Sequence, residues 1–253
     1  MFARVALEDG GQLRAPIVIS ALSAEQTFSE LIGAEALDLR FQSMLGAPRA
    51  NITSAHLYLA VDGAPLDEAT REALRKRMVF APGEDALRKA FAAAARGEIP
   101  EDGVLEIICP TALDAGGSAG DAPAHGAYVL SVIAHPVPLI DEASEEARAQ
   151  IRDRIIASLD KVAPGLSDRI KEERLFLADD LAAMVRSPAS AFGARAGLAR
   201  QIALRDAAQS ASAVSGLYFC GPEAQIGYGL SGAAGRRAAL AALHRAVRPG
   251  AAP

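Results

Sequence analysis

The sequence predicts a mixed fold, part α/β and part α+β, on three observations. Residues 217–242, LYFCGPEAQIGYGLSGAAGRRAALAA, read as a short apolar strand, a loop of glycine and small residues, and a helix of alanines and leucines from Gly232 onward. Near the N-terminus, a turn signal at Asp9-Gly10-Gly11 precedes the β-branched run Ile17-Val18-Ile19-Ser20 and then a capped helix. Between these ends lie several alternating strands and one long amphipathic helix.

In chain order, residues 4–14 place alternating apolar residues on either side of Asp9-Gly10-Gly11, which predicts a hairpin. Pro16 opens residues 17–20, whose continuous apolar run predicts a strand buried on both faces. Ser23 is placed to cap a helix from Ala24, with Gln26 completing a capping-box pattern and Phe28, Leu31 and Ile32 forming the buried stripe.

Residues 51–63 alternate from His56 onward and end in a turn signal, so they read as a strand. Histidine titrates near neutrality, which makes His56 a candidate acid–base group. Its place in an apolar strand favours a hydrogen-bonded structural residue instead. Residues 67–77 are highly charged and read as a solvated helix, and residues 78–80 as a short strand. Residues 84–96 predict an amphipathic helix with Leu87, Ala90 and Phe91 inward. Residues 104–110 form another strand, which ends in a turn at Thr111-Ala112-Leu113-Asp114. The Gly, Ala, Ser and Asp of residues 115–123 predict a flexible loop, with an exposed His125 at its end. Residues 127–138 read as a long strand carrying His135, closed by Pro136 and Pro138, which cannot donate to a ladder. Residues 144–162 are the clearest helix, with Ala147, Ile151, Ile155, Ile156, Leu159 and Val162 at helical spacing. Ala163-Pro164-Gly165-Leu166 breaks it, and residues 167–173 are expected to continue helically.

The C-terminal stretch carries chemistry as well as shape. Strand, glycine loop and helix N-terminus make an anion site, because the first helical N–H groups are unpaired and the positive end of the helix dipole faces the ligand. Glycine at 227, 229 and 232 lets backbone approach a cofactor where a Cβ would intrude. Gly221 followed by Ile226-Gly227-Tyr228-Gly229-Leu230-Ser231-Gly232, then Gly235 and Ala238-Ala239, resembles the C-terminal flavin-contacting segment of the phytoene desaturase family of FAD-dependent oxidoreductases. That family reads strand-G-x-x-x-x-P-G-x-G-V-P-G before a small-residue helix. Here Ile226 and Ser231 replace the prolines and Tyr228 replaces a small residue, so the Tyr228 ring either stacks beside the flavin or blocks the site.

The resemblance extends through residues 4–20, which follow V-x-L-x-D-G-x-x-L-x-A-x-V-V-I-S, and through residues 127–138, which put His135 on a family histidine. It covers nearly all of this chain but only the second half of the family, whose opening strand, G-x-G-x-x-G turn and helix have no counterpart here. It implies a partial FAD-binding, glutathione-reductase-like domain from residues 1–45 and 187–253. Residues 46–186 would form a substrate-binding domain with a mixed or antiparallel sheet covered by helices. FAD contacts would come from Gly221, Ile226, Gly227, Tyr228, Gly229, Leu230 and Ser231, with His56 and His135 in the substrate cavity. The strand at residues 17–20 would lie between the family's first strand and residues 217–220. Left as an open apolar edge it is an association hazard, so we expect a separate chain carrying the G-x-G-x-x-G half to cover it and share the FAD.

The activity implied is that of the C-terminal subunit of a split FAD-dependent oxidoreductase, which oxidises or desaturates an apolar or conjugated substrate. The cofactor does the redox step there, and no catalytic residue is nominated. The departures at Ile226, Tyr228 and Ser231 leave open a non-catalytic accessory subunit, an apolar-ligand module or a decayed remnant.

Composition narrows the remaining classes. The net charge of −5 argues against a nucleic-acid surface, which needs a basic stripe. Charge is uneven, however: from Arg186 to Pro253 eight arginines face only Asp206 and Glu223, a balance that suits a pyrophosphate or an acidic partner. Cys109 and Cys220 lie far apart in apolar runs, which suggests neither a disulfide framework nor a metal site. No signal peptide or membrane-length apolar run is present, so a cytoplasmic protein is expected. Residues 189–201 offer a helical apolar face without the lysines of a membrane-docking surface, and burial is expected.

Overall fold

The computed structural model describes residues 3–45, 51–62, 72–114, 127–185, 216–224 and 231–247. They group into two compact units, one within Met1–Arg49 and Arg195–Pro253, the other within Ala50–Ala194. The fold is mixed, with an antiparallel sheet and helices in the second unit and a parallel strand pair in the first.

In the first unit, β1 (Ala3–Ala6) and β2 (Gln12–Ala15) form the expected hairpin, with Ala3 opposite Ala15 and Ala6 opposite Gln12. Asp9 Oδ1 accepts from the Gly11 N–H at 2.8 Å and fixes the loop. β3 (Val18–Ser20) pairs in parallel with β9 (Leu217–Phe219), Val18 opposite Leu217 and Ser20 opposite Phe219. Residues 17–20 are not buried on both faces as their composition predicts. Val18 packs on the core, but Ile17 and Ile19 are 37% and 46% exposed.

A π-helix, Glu25–Gly33, follows β3. Ser23 Oγ caps it by accepting from the Gln26 N–H at 3.1 Å, and the Ser23 hydroxyl donates to Gln26 Oε1 at 3.3 Å. The wider turn of i→i+5 bonding corrects the expected stripe: Phe28 stays buried and Ile32 packs on the core, while Leu31 swings out to 69% exposure. Phe28 meets Phe41 of α1 (Leu39–Leu45) edge-on at 4.9 Å and Phe219 at 5.3 Å. Ala24, Leu37, Leu217, Ala224 and Ala234 complete this core. The buried Thr27 hydroxyl is satisfied by Ser20 Oγ at 2.7 Å.

The second unit is built on β4 (Ile52–Asp62), β5 (Met78–Phe80), β6 (Val104–Ile108), β7 (Ala127–Pro138) and β8 (Ile170–Phe176). They form an antiparallel sheet in the order β5-β6-β7-β4-β8. Alternation along β4 sends Ala55, Leu57, Leu59 and Val61 to one face, where Leu105, Ile107, Leu130 and Val132 join them. Helix α4 (Glu145–Val162) lays Ile151, Ile155 and Leu159 on this core. Its N-terminus is capped by Ser144, whose Oγ accepts from the Ala147 N–H at 3.3 Å.

Helix α2 (Glu84–Ala95) packs on β7 and β4 through Ala90 and Ala94, whose i,i+4 spacing permits close approach. Phe91, expected inward, is 42% exposed because it lies a hundred-degree step round the helix from Ala90. The expected turn at residues 111–114 is part of a short helix, α3 (Pro110–Asp114), in which Thr111 Oγ1 accepts from the Val129 N–H at 3.0 Å.

Residues 167–173 are not a helical continuation. Only Ser167–Arg169 makes a 3-10 turn, and β8 begins at Ile170. The outer edge of β4 supplies a backbone ladder along most of β8, and ion pairs Lys171–Asp62 and Arg152–Glu173, each at 3.2 Å, place the charges. An outermost strand so rich in charge also blunts the edge of the sheet. Helix α5 (Ala178–Val185) starts where Asp180 Oδ2 accepts from the Leu177 N–H at 2.8 Å and from Arg148 of α4 at 2.5 Å. The expectations for residues 67–71, 115–126 and 189–201, His125 included, fall outside the described residues.

Candidate functional site

Of the expected cofactor contacts, Gly221 and Ser231 are described, and Ile226, Gly227, Tyr228, Gly229 and Leu230 lie outside the described residues. Gly221 ends β9 at a chain crossing: a Cβ there would lie 1.9 Å from the Leu22 carbonyl oxygen and 2.6 Å from the Phe219 ring. Glu223, in the 3-10 turn Pro222–Ala224, reaches across to accept from the Ala24 N–H at 3.0 Å. Its carboxylate thus fills the anion position at the start of the π-helix. Sequence reasoning missed this contact, which joins residues 199 apart and leaves no local signal.

Ser231 Oγ accepts from the Ala233 N–H at 3.3 Å at the start of α6 (Ala233–Val247). Gly232 before it has φ +67°, the left-handed region that glycine occupies without strain, and no described residue stands within 4 Å of its Cβ direction. Arg237, one turn into α6, donates to the Ala224 carbonyl, and its buried Nε has no hydrogen-bond partner among the described residues.

In the second unit, register gathers the histidines on the sheet face opposite Leu57 and Val132. His56 of β4 stands opposite Ile133 of β7, with Glu106 of β6 on the far side of Ile133 and Phe176 of β8 on the far side of His56. His135 is two residues along from Ile133, so it shares this face and lies diagonal to both His56 and Glu106. Its Nε2 is 3.9 Å from Glu106 Oε1, and the Arg77 guanidinium holds Glu106 Oε2. The hydrogen-bonded structural role expected for His56 is not what forms: its imidazole makes no hydrogen bond among the described residues.

Burial lowers the pKa of His56 below the ordinary histidine value, and His135 lowers it further by charge repulsion. Burial also lowers that of His135, partly offset by the attraction of Glu106. An unfolded chain therefore binds more protons than the folded one between the folded and unfolded values. Stability present above the ordinary histidine pKa should drain away as pH falls through the folded values. Urea midpoints compared at about pH 7.5 and about pH 5.5, on either side of that value, should be lower at the acid end, and less so in a His56→Gln/His135→Gln double variant.

Among the described residues no three His, Cys, Asp or Glu side chains converge as a metal site, and Cys109 and Cys220 are both free thiols. No described helix is long and apolar enough to cross a membrane. No family model matches the chain. The curated proteins that align with it include two named pyridine nucleotide-disulfide oxidoreductase domain-containing protein 2. The protein from Mus musculus is 27% identical over 252 residues and that from Rattus norvegicus 26%, covering 93% of this chain and 42% of theirs. The chain is a distant homologue of these proteins. The chain spans about two fifths of the length of these relatives.

Proposed function

We propose that the protein is the C-terminal subunit of a split FAD-dependent oxidoreductase of the phytoene desaturase type. A separate chain would supply the dinucleotide-binding half, and the substrate would be apolar or conjugated. The observation that carries this reading is the parallel pairing of β3 with β9, from which the chain passes through Gly221 toward helix α6. Ligands of parallel α/β sheets bind beyond the carboxyl ends of the strands, where helix N-termini gather. The first unit would be a partial FAD-binding domain and the second the substrate-binding domain.

The start of α6 suits an anionic cofactor. Among the described residues, no atom lies within 4 Å of a would-be Cβ at Gly232 or Gly235, and the buried Arg237 Nε has no partner. Gly221, residues 226–230 and Ser231 would hold FAD, which when bound supplies a hydride acceptor. The exposed Ile17 and Ile19 support a covering strand from the partner.

Co-purification with a gene product that reads strand, G-x-G-x-x-G and helix tests the proposal. Flavin absorbance bands are expected only when both chains are present. Tight FAD binding by this chain alone would overturn the shared site. A colourless complex would favour a non-catalytic accessory subunit, the reading that Ile226, Tyr228 and Ser231 support by departing from the family pattern.

A further inference from the structure

We propose that the β1–β2 hairpin docks the dinucleotide-binding chain, which adds a third strand of alternating apolar and acidic residues along β1. The identity of that chain rests on the split-oxidoreductase reading above. The hairpin is incomplete as it stands. Two strands alone are marginally stable in water, and a third strand or a packed apolar face is what makes such a ladder persist. Here every residue from Arg4 to Gly10 is exposed, and no apolar side chain of the hairpin joins a hydrophobic core among the described residues. Val5 stands opposite Leu13 on one face, with Leu7 two residues further along, and Leu13 is 58% exposed. Through Pro16 the chain runs directly into β3, whose exposed Ile17 and Ile19 extend this apolar stretch.

The other face carries the charge. Arg4 and Arg14 stand directly opposite one another there, and neither has an ion-pair partner among the described residues. Equal charges set across a ladder repel and weaken it. A carboxylate beside Arg4 would draw its guanidinium away from Arg14 and turn that repulsion into an attraction. Because the apolar and the cationic side chains lie on opposite faces, a flat anionic surface such as a bilayer meets only one set of them. A strand laid along the edge meets both, since its own side chains alternate between the two faces. Backbone direction shows where that strand fits. Leu7 donates its N–H to the Gly11 carbonyl at 2.9 Å, so Leu7 and Val5 face β2. Alternation turns the N–H and C=O groups of Arg4 and Ala6 to the outer edge of β1, and those of Gln12 and Arg14 to the outer edge of β2. β1 is the freer of the two: Arg4, Val5 and Ala6 are all exposed, whereas Ala15 of β2 is half-buried.

Hydrogen exchange compares the isolated chain with the co-purified complex. The amides of Arg4 and Ala6 should exchange freely in the first and become protected in the second. Ala6→Pro removes an outward donor, breaks no bond of the hairpin, and should weaken association about 10-fold. Gln12→Pro does the same on the other edge and should bind as the parent does, which controls for damage to the hairpin itself. Added salt should slow association of the parent, and an Arg4→Gln/Arg14→Gln double variant should lose most of that dependence. Free exchange of Arg4 and Ala6 in a flavin-containing complex, or parental binding by Ala6→Pro, overturns the hairpin docking and leaves the split-enzyme reading in place. Phosphatidylglycerol vesicles give the remaining arm. If the isolated chain binds them, Leu13→Ser abolishes that binding, and association with the partner is unchanged, the hairpin serves a membrane and the proposal falls. If no complex forms and no flavin is bound, the split-enzyme reading itself is lost, and the docking goes with it.

Discussion

Alanine at position 221 is expected to destabilise the first unit by about 3 kcal/mol, the upper range for overpacking a closed site. The added methyl would sit 1.9 Å from the Leu22 carbonyl oxygen, which belongs to backbone directly before the Ser23 cap. Retreat of that backbone would pull on the Cys220 N–H to Ser20 carbonyl bond, now 2.8 Å, which ties the two parallel strands. Retreat on the other side would push the Phe219 ring off Phe28. Neither neighbour is the loose end of a flexible side chain, so no cheap relief exists. Gly232→Ala makes the contrast: among the described residues its Cβ direction is open and only its left-handed φ of +67° is strained, so about 1 kcal/mol is expected. Hydrogen exchange should show Gly221→Ala loosening the amides of β3 and β9 while those of β4 and β7 keep their protection. Equal protection in both variants would mean that the crossing at Leu22 does not constrain the unit.

What was legible in the sequence follows from where each element gets its order. The hairpin at Asp9-Gly10, the capped helix from Ser144 and the alternating β4 and β7 are dictated by nearby residues, and each stands where pattern puts it. β8 was not legible, because Lys171, Glu172, Glu173 and Arg174 have no apolar alternation, and the strand exists only through the ladder that β4 supplies. Leu31 misled for a different reason: the stripe assumes α-helical spacing, and the chain turns by a wider π step there. At the candidate sites, His56 and His135 could be singled out one by one, but their approach depends on register between β4 and β7. Glu106, from a third strand, gave no local sign of joining them. Glu223 at the π-helix start was invisible for the same reason of distance along the chain.

Proline at position 19 should weaken association with the proposed dinucleotide-binding partner by about 10- to 100-fold, the effect of one unmade backbone hydrogen bond at a buried strand junction. The direction of each peptide group makes this site selective. Val18 donates its N–H to the Gly216 carbonyl and Ser20 accepts from the Cys220 N–H, both at 2.8 Å, so these two residues face β9. Successive residues of a strand point their N–H and C=O groups to opposite edges. Ile19 therefore presents its own pair to the edge away from β9, and its side chain is 46% exposed. Proline there removes the donor and places ring atoms where a neighbouring strand would lie, yet it breaks no bond in the β3–β9 ladder. Isolated-chain stability should thus change by no more than about 1 kcal/mol, which separates loss of association from loss of folding. Ile19→Val keeps both the donor and the β-branched shape and should bind almost as the parent does. The comparison is made by titrating the partner into each variant and reading the affinity by calorimetry. If Ile19→Pro binds as tightly as the parent, the partner does not add a strand at this edge, and the flavin-holding half must be sought against another surface of the first unit.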